Sequence, residues 1–283
     1  MLKKLGLLSI VTIIIFSTIL SGGSMATPGK SRIGDPNASE YTESKLDSIL
    51  IEKLNFPEDE LFLMPKSIKV RTVEQGGIYV ASESKSLYRN NKGELVSGID
   101  GSNLPISILG TIPEKEMQMW GTVVKLESKN GYARYELHGV TKWLKTTFFN
   151  WTDKQALAFD GQFQLDVETN GFMDCSHHID KNFVLDSWSE VDKCGGRPGN
   201  IDSTKGAVWN VDVLSGMANA TYTVLIMQTK KKQTKETPSQ ATVGYVHDKS
   251  GFGVEANLGV GSISFSGFSN DTASFPILFN VTP

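Results

Sequence analysis

The chain has 283 residues, 28 Lys and Arg against 31 Asp and Glu, and a formal net charge of -3. That balance excludes a general affinity for a nucleic-acid backbone. A hydrophobic content of 39% is that of a folded globule, and two cysteines allow one disulfide at most.

Lys3 and Lys4 precede the apolar run "LGLLSIVTIIIFSTIL", which gives way to "SGGSMA". A basic start, an apolar core and a small-x-small end predict a secretory signal peptide over residues 1–26, cleaved after Ala26. The run is short for a bilayer span of about 20 residues, and no later stretch is long and apolar enough to span as a helix. The expected location is therefore secreted or cell-surface associated.

Residues 27–60 read as a flexible leader followed by one amphipathic helix. "TPGKSRIGDPN" is rich in Pro, Gly and polar residues. Leu46, Ile49, Leu50 and Leu54 then recur at helical spacing. Asn37 and Glu40 suggest a capping box, and Pro57 suggests the helix stop.

Residues 61–283 read as an antiparallel β domain, with a sub-boundary near residue 118 as an alternative division. "SIKVRTV" and "GIYVAS" look like two strands joined by the short turn "EQG". The chain from Gly93 to Met117 looks loop-like. Asn130-Gly131 predicts a type I′ hairpin turn, with Lys129 opposite Tyr132. Counting outward pairs Leu126 with Tyr135, Val124 with Leu137, Glu127 with Arg134 and Lys125 with Glu136. This register matches apolar to apolar and opposite charges across the two faces. It puts His138 on the charged, solvent side.

"FDGQFQLDVE", residues 159–168, alternates as one half-exposed strand. "AVWNVDVL" places Trp209, Val211 and Val213 on one face, and "TYTVLIMQ" is apolar on both faces, which predicts a central strand. "TKKKQTKETPSQ" reads as a basic polar loop. Near the C-terminus, Asp248 to Gly251 reads as a turn. Phe252, Val254, Ala256 and Leu258 then alternate inward, and the phase slips near Val260-Gly261 at a bulge or tight turn. The fold class is thus mainly β, an antiparallel β-sandwich-like domain with one N-terminal amphipathic helix.

The chemistry-bearing residues are few. Export places Cys175 and Cys194 in an oxidising compartment, where a bond between them closes a loop of about 20 residues and stabilises by roughly 3 kcal/mol. The competing reading is a metal site built from Cys175, His177 and Cys194. Adjacent His177 and His178 point to opposite faces of an extended strand, so no metal and no cofactor are expected. No G-x-S-x-G, H-E-x-x-H, C-x-x-C or phosphate-binding glycine loop occurs.

These features point to an exported, non-enzymatic protein that binds an extracellular or cell-envelope ligand, such as a glycan or a membrane surface, and no nucleic acid. The aromatics of "WLKTTFFNWT", Trp143, Phe148, Phe149 and Trp151, are its candidate contact surface, because aromatic rings stack on sugars and sit at membrane interfaces. Packing of these rings into the core is the competing reading. One alternative function is a pore-forming or membrane-active protein that inserts residues 252–266, whose apolar and small polar residues alternate. A second is a secreted hydrolase using a carboxylate pair.

Overall fold

The computed structural model describes residues 34–62, 64–89, 95–98, 115–145, 152–166, 172–180, 193–194, 196–267 and 270–283. The segment expected to be a signal peptide lies outside them. A 3-10 turn (Ala38–Glu40) leads to α1 (Glu43–Glu52), α2 (Glu58–Leu61) and α3 (Lys66–Glu74). Then follow β1 (Ile78–Arg89), β2 (Leu95–Gly98), β3 (Lys115–Lys129), β4 (Tyr132–Trp143), β5 (Thr152–Phe159), β6 (Phe163–Leu165), β7 (Phe172–Asp180) and β8 (Lys193–Cys194). The remaining strands are β9 (Asn200–Asp202), β10 (Gly206–Asp212), β11 (Met217–Thr229), β12 (Thr237–Asp248), β13 (Val254–Gly259), β14 (Ser262–Gly267) and β15 (Asn270–Val281).

The strands form an antiparallel sandwich, as the alternation predicts. One sheet has the order β2-β1-β3-β4-β11-β7-β8, with β6 beside β11. The second has the order β15-β12-β5-β10-β9. Period-2 side chains from both fill the space between them: Tyr135, Leu137, Leu225 and Met227 from the first, and Leu157, Trp209, Val243 and Ile277 from the second. The first sheet is covered on its other face too. There Leu46, Leu50 and Ile68 of the helices pack on Val124, Val140, Tyr222 and Val224. β11 is therefore central and buried on both faces, as its apolar run implies.

The double cover explains where the sequence misleads. Residues 67–73 form most of α3, not a strand. Ile68, Lys69, Thr72 and Val73 share its buried side. "EQGG" is a helix stop: Gly76 (φ 63°) donates to Val73 O and Gly77 to Thr72 O, a Schellman ending. Lys69 is buried at 3% exposure because its ammonium meets Glu43 and Asp47 of α1, each at 2.8 Å. The α1 N-cap is Thr42, which accepts from Lys45 N–H at 3.3 Å, not a box at Asn37. α1 ends at Glu52, before Pro57.

In the β3–β4 hairpin, Asn130 (φ 55°) and Gly131 (φ 84°) make the expected turn and Lys129 opposes Tyr132. A β-bulge then shifts the pairing by one, so Leu126 opposes Arg134, Val123 opposes Leu137 and Thr122 opposes His138. Val123 faces the second sheet and Val124 the helices, so both registers put an apolar residue opposite Leu137. Residue 118 falls inside β3, and Leu95–Gly98 is a strand within the segment expected to be a loop. The stretch from Phe159 is two strands, β5 and β6, parted by a turn at Asp160. Phe159, Phe163 and Leu165 are buried as expected, but so is Asp166, which pairs with Arg134 at 2.8 Å.

Candidate functional site

A third, two-stranded element crosses the outer face of the second sheet. The alternation that begins at Val254 reverses at Gly261 (φ 65°), so the phase slip is a tight turn and β13 pairs with β14. The apolar side of this strap seats Ala256 on Ala156 and Val208, with Leu258, Ile263 and Phe265 half-buried around them. Gly244 of β12 makes room. A Cβ there would stand 2.9 Å from both Ile263 Cδ1 and Phe265 Cζ. Gly244→Val is expected to displace the strap and cost about 1–3 kcal/mol. Hydrogen exchange should rise over residues 254–267 while the two-sheet core keeps its protection.

The strap is fixed at both ends. At its tip, Gly261 N–H donates to Phe159 O at 2.8 Å, and Gly261 O accepts from Gln240 Nε2 and Thr242 Oγ1, both at 2.9 Å. At its base, Asp248 accepts from the N–H groups of Ser250 (2.8 Å), Gly251 (3.0 Å) and Gly253 (2.9 Å). Burial pushes the Asp248 carboxyl up, but these donors outweigh it and hold it below its ordinary range. Gly251 (φ 70°) and Gly253 (φ 91°) adopt conformations that favour glycine, and they hold Phe252 outward between them. Phe252 is 84% exposed, more than any other large hydrophobic side chain among the described residues. It does not continue the inward alternation expected for it.

Between the strap and the β9–β10 edge runs a groove of about 620 Å³. Lys154, Asn200, Val208 and Asn210 line one side; Val254, Glu255, Ala256 and Asn257 line the other, with Phe252 and Ser266 also on its border. Lys154 Nζ donates to Asn210 Oδ1, its register partner across β5 and β10. Glu255 is the one carboxylate among these lining residues.

Two buried polar clusters lie elsewhere. Under the helices, the Glu136 carboxylate accepts from Arg71 Nε at 2.9 Å and His138 Nε2 at 3.1 Å, and His138 Nδ1 lies 2.8 Å from Tyr222 Oη. His138 is thus buried, not on the solvent side, because the helices cover the charged face of β4. Between the sheets, Asp153 sits 2.9 Å from His247 Nδ1 and accepts from the Tyr245 hydroxyl and the Asp248 N–H. Burial pushes the Asp153 carboxyl up against the pull of these donors. Burial and Asp153 push the Tyr245 phenol up as well. Both clusters are enclosed and tie elements together.

Trp143 belongs to the second cluster. It is 4% exposed, donates from Nε1 to Tyr245 Oη at 3.0 Å, and stands edge-on to His247 at 4.9 Å between ring centroids. As the last residue of β4 it shares the inward parity of Tyr135 and Leu137, so it offers no exposed ring. Phe148, Phe149 and Trp151 lie outside the described residues. Cys175 is buried beneath the helices, and its backbone directly opposes Cys194 across β7 and β8. No cysteine among the described residues is free. His177 and His178 occupy successive positions of β7, opposite Ala220 and Asn219. No helix among the described residues is long and apolar enough to cross a membrane. Of the residues around the groove, Asn200 and Asn210 drew no notice in the sequence, and Phe252 was expected to face inward. The available signal was "DKSGFG", an Asp followed by two glycines around a lone aromatic.

No family model matches the chain, and no curated protein does either. Among solved structures, the chain is similar to a collagen-binding domain from a Staphylococcus aureus adhesin, at 11% identity over 50% of this chain and 86% of that one, with a TM-score of 0.25. It is similar to the collagen adhesin of S. aureus at 10% identity, over 71% of this chain and 79% of that one, with a TM-score of 0.26. A third similar structure concerns pH-induced modulation of Streptococcus parasanguinis adhesion by Fap1 fimbriae, at 7% identity over 71% of this chain and 94% of that one, with a TM-score of 0.24. At TM-scores this low the superpositions are partial, and the fold rests on the strand order and registers given above.

Proposed function

We propose that this is an exported, non-enzymatic binding protein, secreted or held at the cell surface, whose ligand face is the groove beside the strap. The observation that carries this reading is Phe252, whose backbone is fixed through Asp248 on both sides while its ring is 84% exposed. An aromatic side chain held outward on a fixed backbone at the border of a polar groove is a ready contact for a ligand, because aromatics lose little conformational entropy on binding. Binding fits better than hydrolysis, because glycoside hydrolysis uses two carboxylates across the bond and, among the described residues, the groove's lining supplies Glu255 alone. It also fits better than pore formation. The strap strands have 6 residues each, against about nine to eleven for a membrane-crossing strand.

The same reading keeps Cys175 and Cys194 as a disulfide; their directly opposed register supports it. Thiol titration of non-reduced protein should find no free thiol, and Cys194→Ser should lower stability by about 3 kcal/mol. Two titratable thiols with one bound metal per chain would move the site to Cys175, His177 and Cys194.

Co-sedimentation with insoluble peptidoglycan, chitin and cellulose, retention on immobilised matrix protein, and leakage of anionic liposomes test the binding function. Retention on at least one surface, lost in Phe252→Ala without a change in melting temperature, is the expected result. Leakage that depends on residues 252–266 would favour the membrane-active alternative.

A further inference from the structure

We infer that the groove takes a neutral polyhydroxylated chain, an oligosaccharide, with Phe252 as its stacking platform; this inference rests on the groove being the ligand face. Among the described residues three primary amides line it, Asn200, Asn210 and Asn257. A primary amide has two donor hydrogens and an oxygen with two lone pairs, so Asn210, whose Oδ1 accepts from Lys154, and Asn257, whose Nδ2 donates to Ser266 Oγ, each keep capacity to meet a sugar hydroxyl in either sense. The two charged residues, Lys154 and Glu255, are of opposite sign. Among the described residues the lining therefore carries no net charge with which to select a polyanion or a polycation. Nucleic acid would also stack on an aromatic ring, but it needs several phosphate-neutralising cations along its track, and among the described residues the lining supplies Lys154 alone.

Phe252 supplies the apolar part. A phenyl ring held 84% exposed offers one flat face to the C–H face of a pyranose. The ring has no polar tip, so orientation falls to the amides. The volume, about 620 Å³, lies within the range of roughly 300–1,000 Å³ for small-ligand sites. The partner strand β9 has 3 residues, a short edge for an added peptide strand, which disfavours an extended peptide as occupant.

The test is calorimetric titration of the full chain with neutral oligomers of β-linked glucose and of N-acetylglucosamine, at low and high salt. Saturable binding that is unchanged by salt is expected. Phe252→Ala should weaken it about threefold to tenfold. Asn210→Ala should weaken it as well, and Phe62→Ala, an exposed aromatic of the helical layer, should not. Absence of binding by every neutral oligomer, or binding indifferent to Phe252→Ala, would overturn the inference. So would binding only of charged polymers with a steep salt dependence, or only of peptides. If neutral oligomers fail while retention on a surface still depends on Phe252, the ligand class is wrong and the groove stands. If neither depends on Phe252, both readings fall.

Discussion

Trp143→Ala is expected to lower stability by about 3–5 kcal/mol, because a buried indole is lost and a cavity remains between the sheets. For a chain of this size that is a drop in melting temperature on the order of 10 °C. The loss exceeds that of a generic core deletion, since Tyr245 loses its donor and the Asp153–His247 cluster loses a wall. Phe252→Ala should leave the melting temperature unchanged. Thermal unfolding of the two variants side by side separates a core aromatic from a presented one. An unchanged melting temperature for Trp143→Ala would return that residue to the surface.

Glu136→Ala is expected to cost about 3–5 kcal/mol, because it leaves the Arg71 guanidinium beside a buried cavity without its carboxylate. Burial alone would push the Glu136 carboxyl up. His138 and Arg71 outweigh burial and hold it below its ordinary value of 4.5. A folded-state value below the unfolded one means the contribution is complete above pH 4.5 and is lost as pH falls through the depressed folded value. Chemical denaturation across an acid series should therefore show a fall in stability below about pH 4.5 that is shallower in Glu136→Gln. A variant with the same acid slope as the wild type would show that Glu136 carries no depressed titration.

The sandwich was legible wherever one face of a strand is buried and the other is not. Trp209, Val211 and Val213 alternate against exposed Asn210 and Asp212. Legibility failed where both faces are covered. The helices over β3 and β4 bury Val124, Glu136 and His138, so charge no longer marks solvent and the one-residue bulge is invisible in the pattern. "SIKVRTV" satisfies a period of 2 as well as a helical period; the Schellman stop at Gly76-Gly77 decides for the helix. The groove was hidden for a different reason. Asn200 and Asn210 lie on the paired strands β9 and β10, and Phe252, distant from both in sequence, joins them because the strap folds back across β5 and β10. Trp143, by contrast, drew attention by composition, although its parity with Tyr135 and Leu137 already placed it inward.

Mapping of amide chemical shifts during titration with a neutral oligosaccharide tests most directly whether the strap face carries binding. The prediction is that the amides of Asn200, Asn210 and residues 252–257 shift in a saturable way, while the Trp143 indole N–H, donated to Tyr245, does not move. Shifts concentrated at Trp143 and the residues that follow it, with the groove silent, would contradict the assignment of the ligand face.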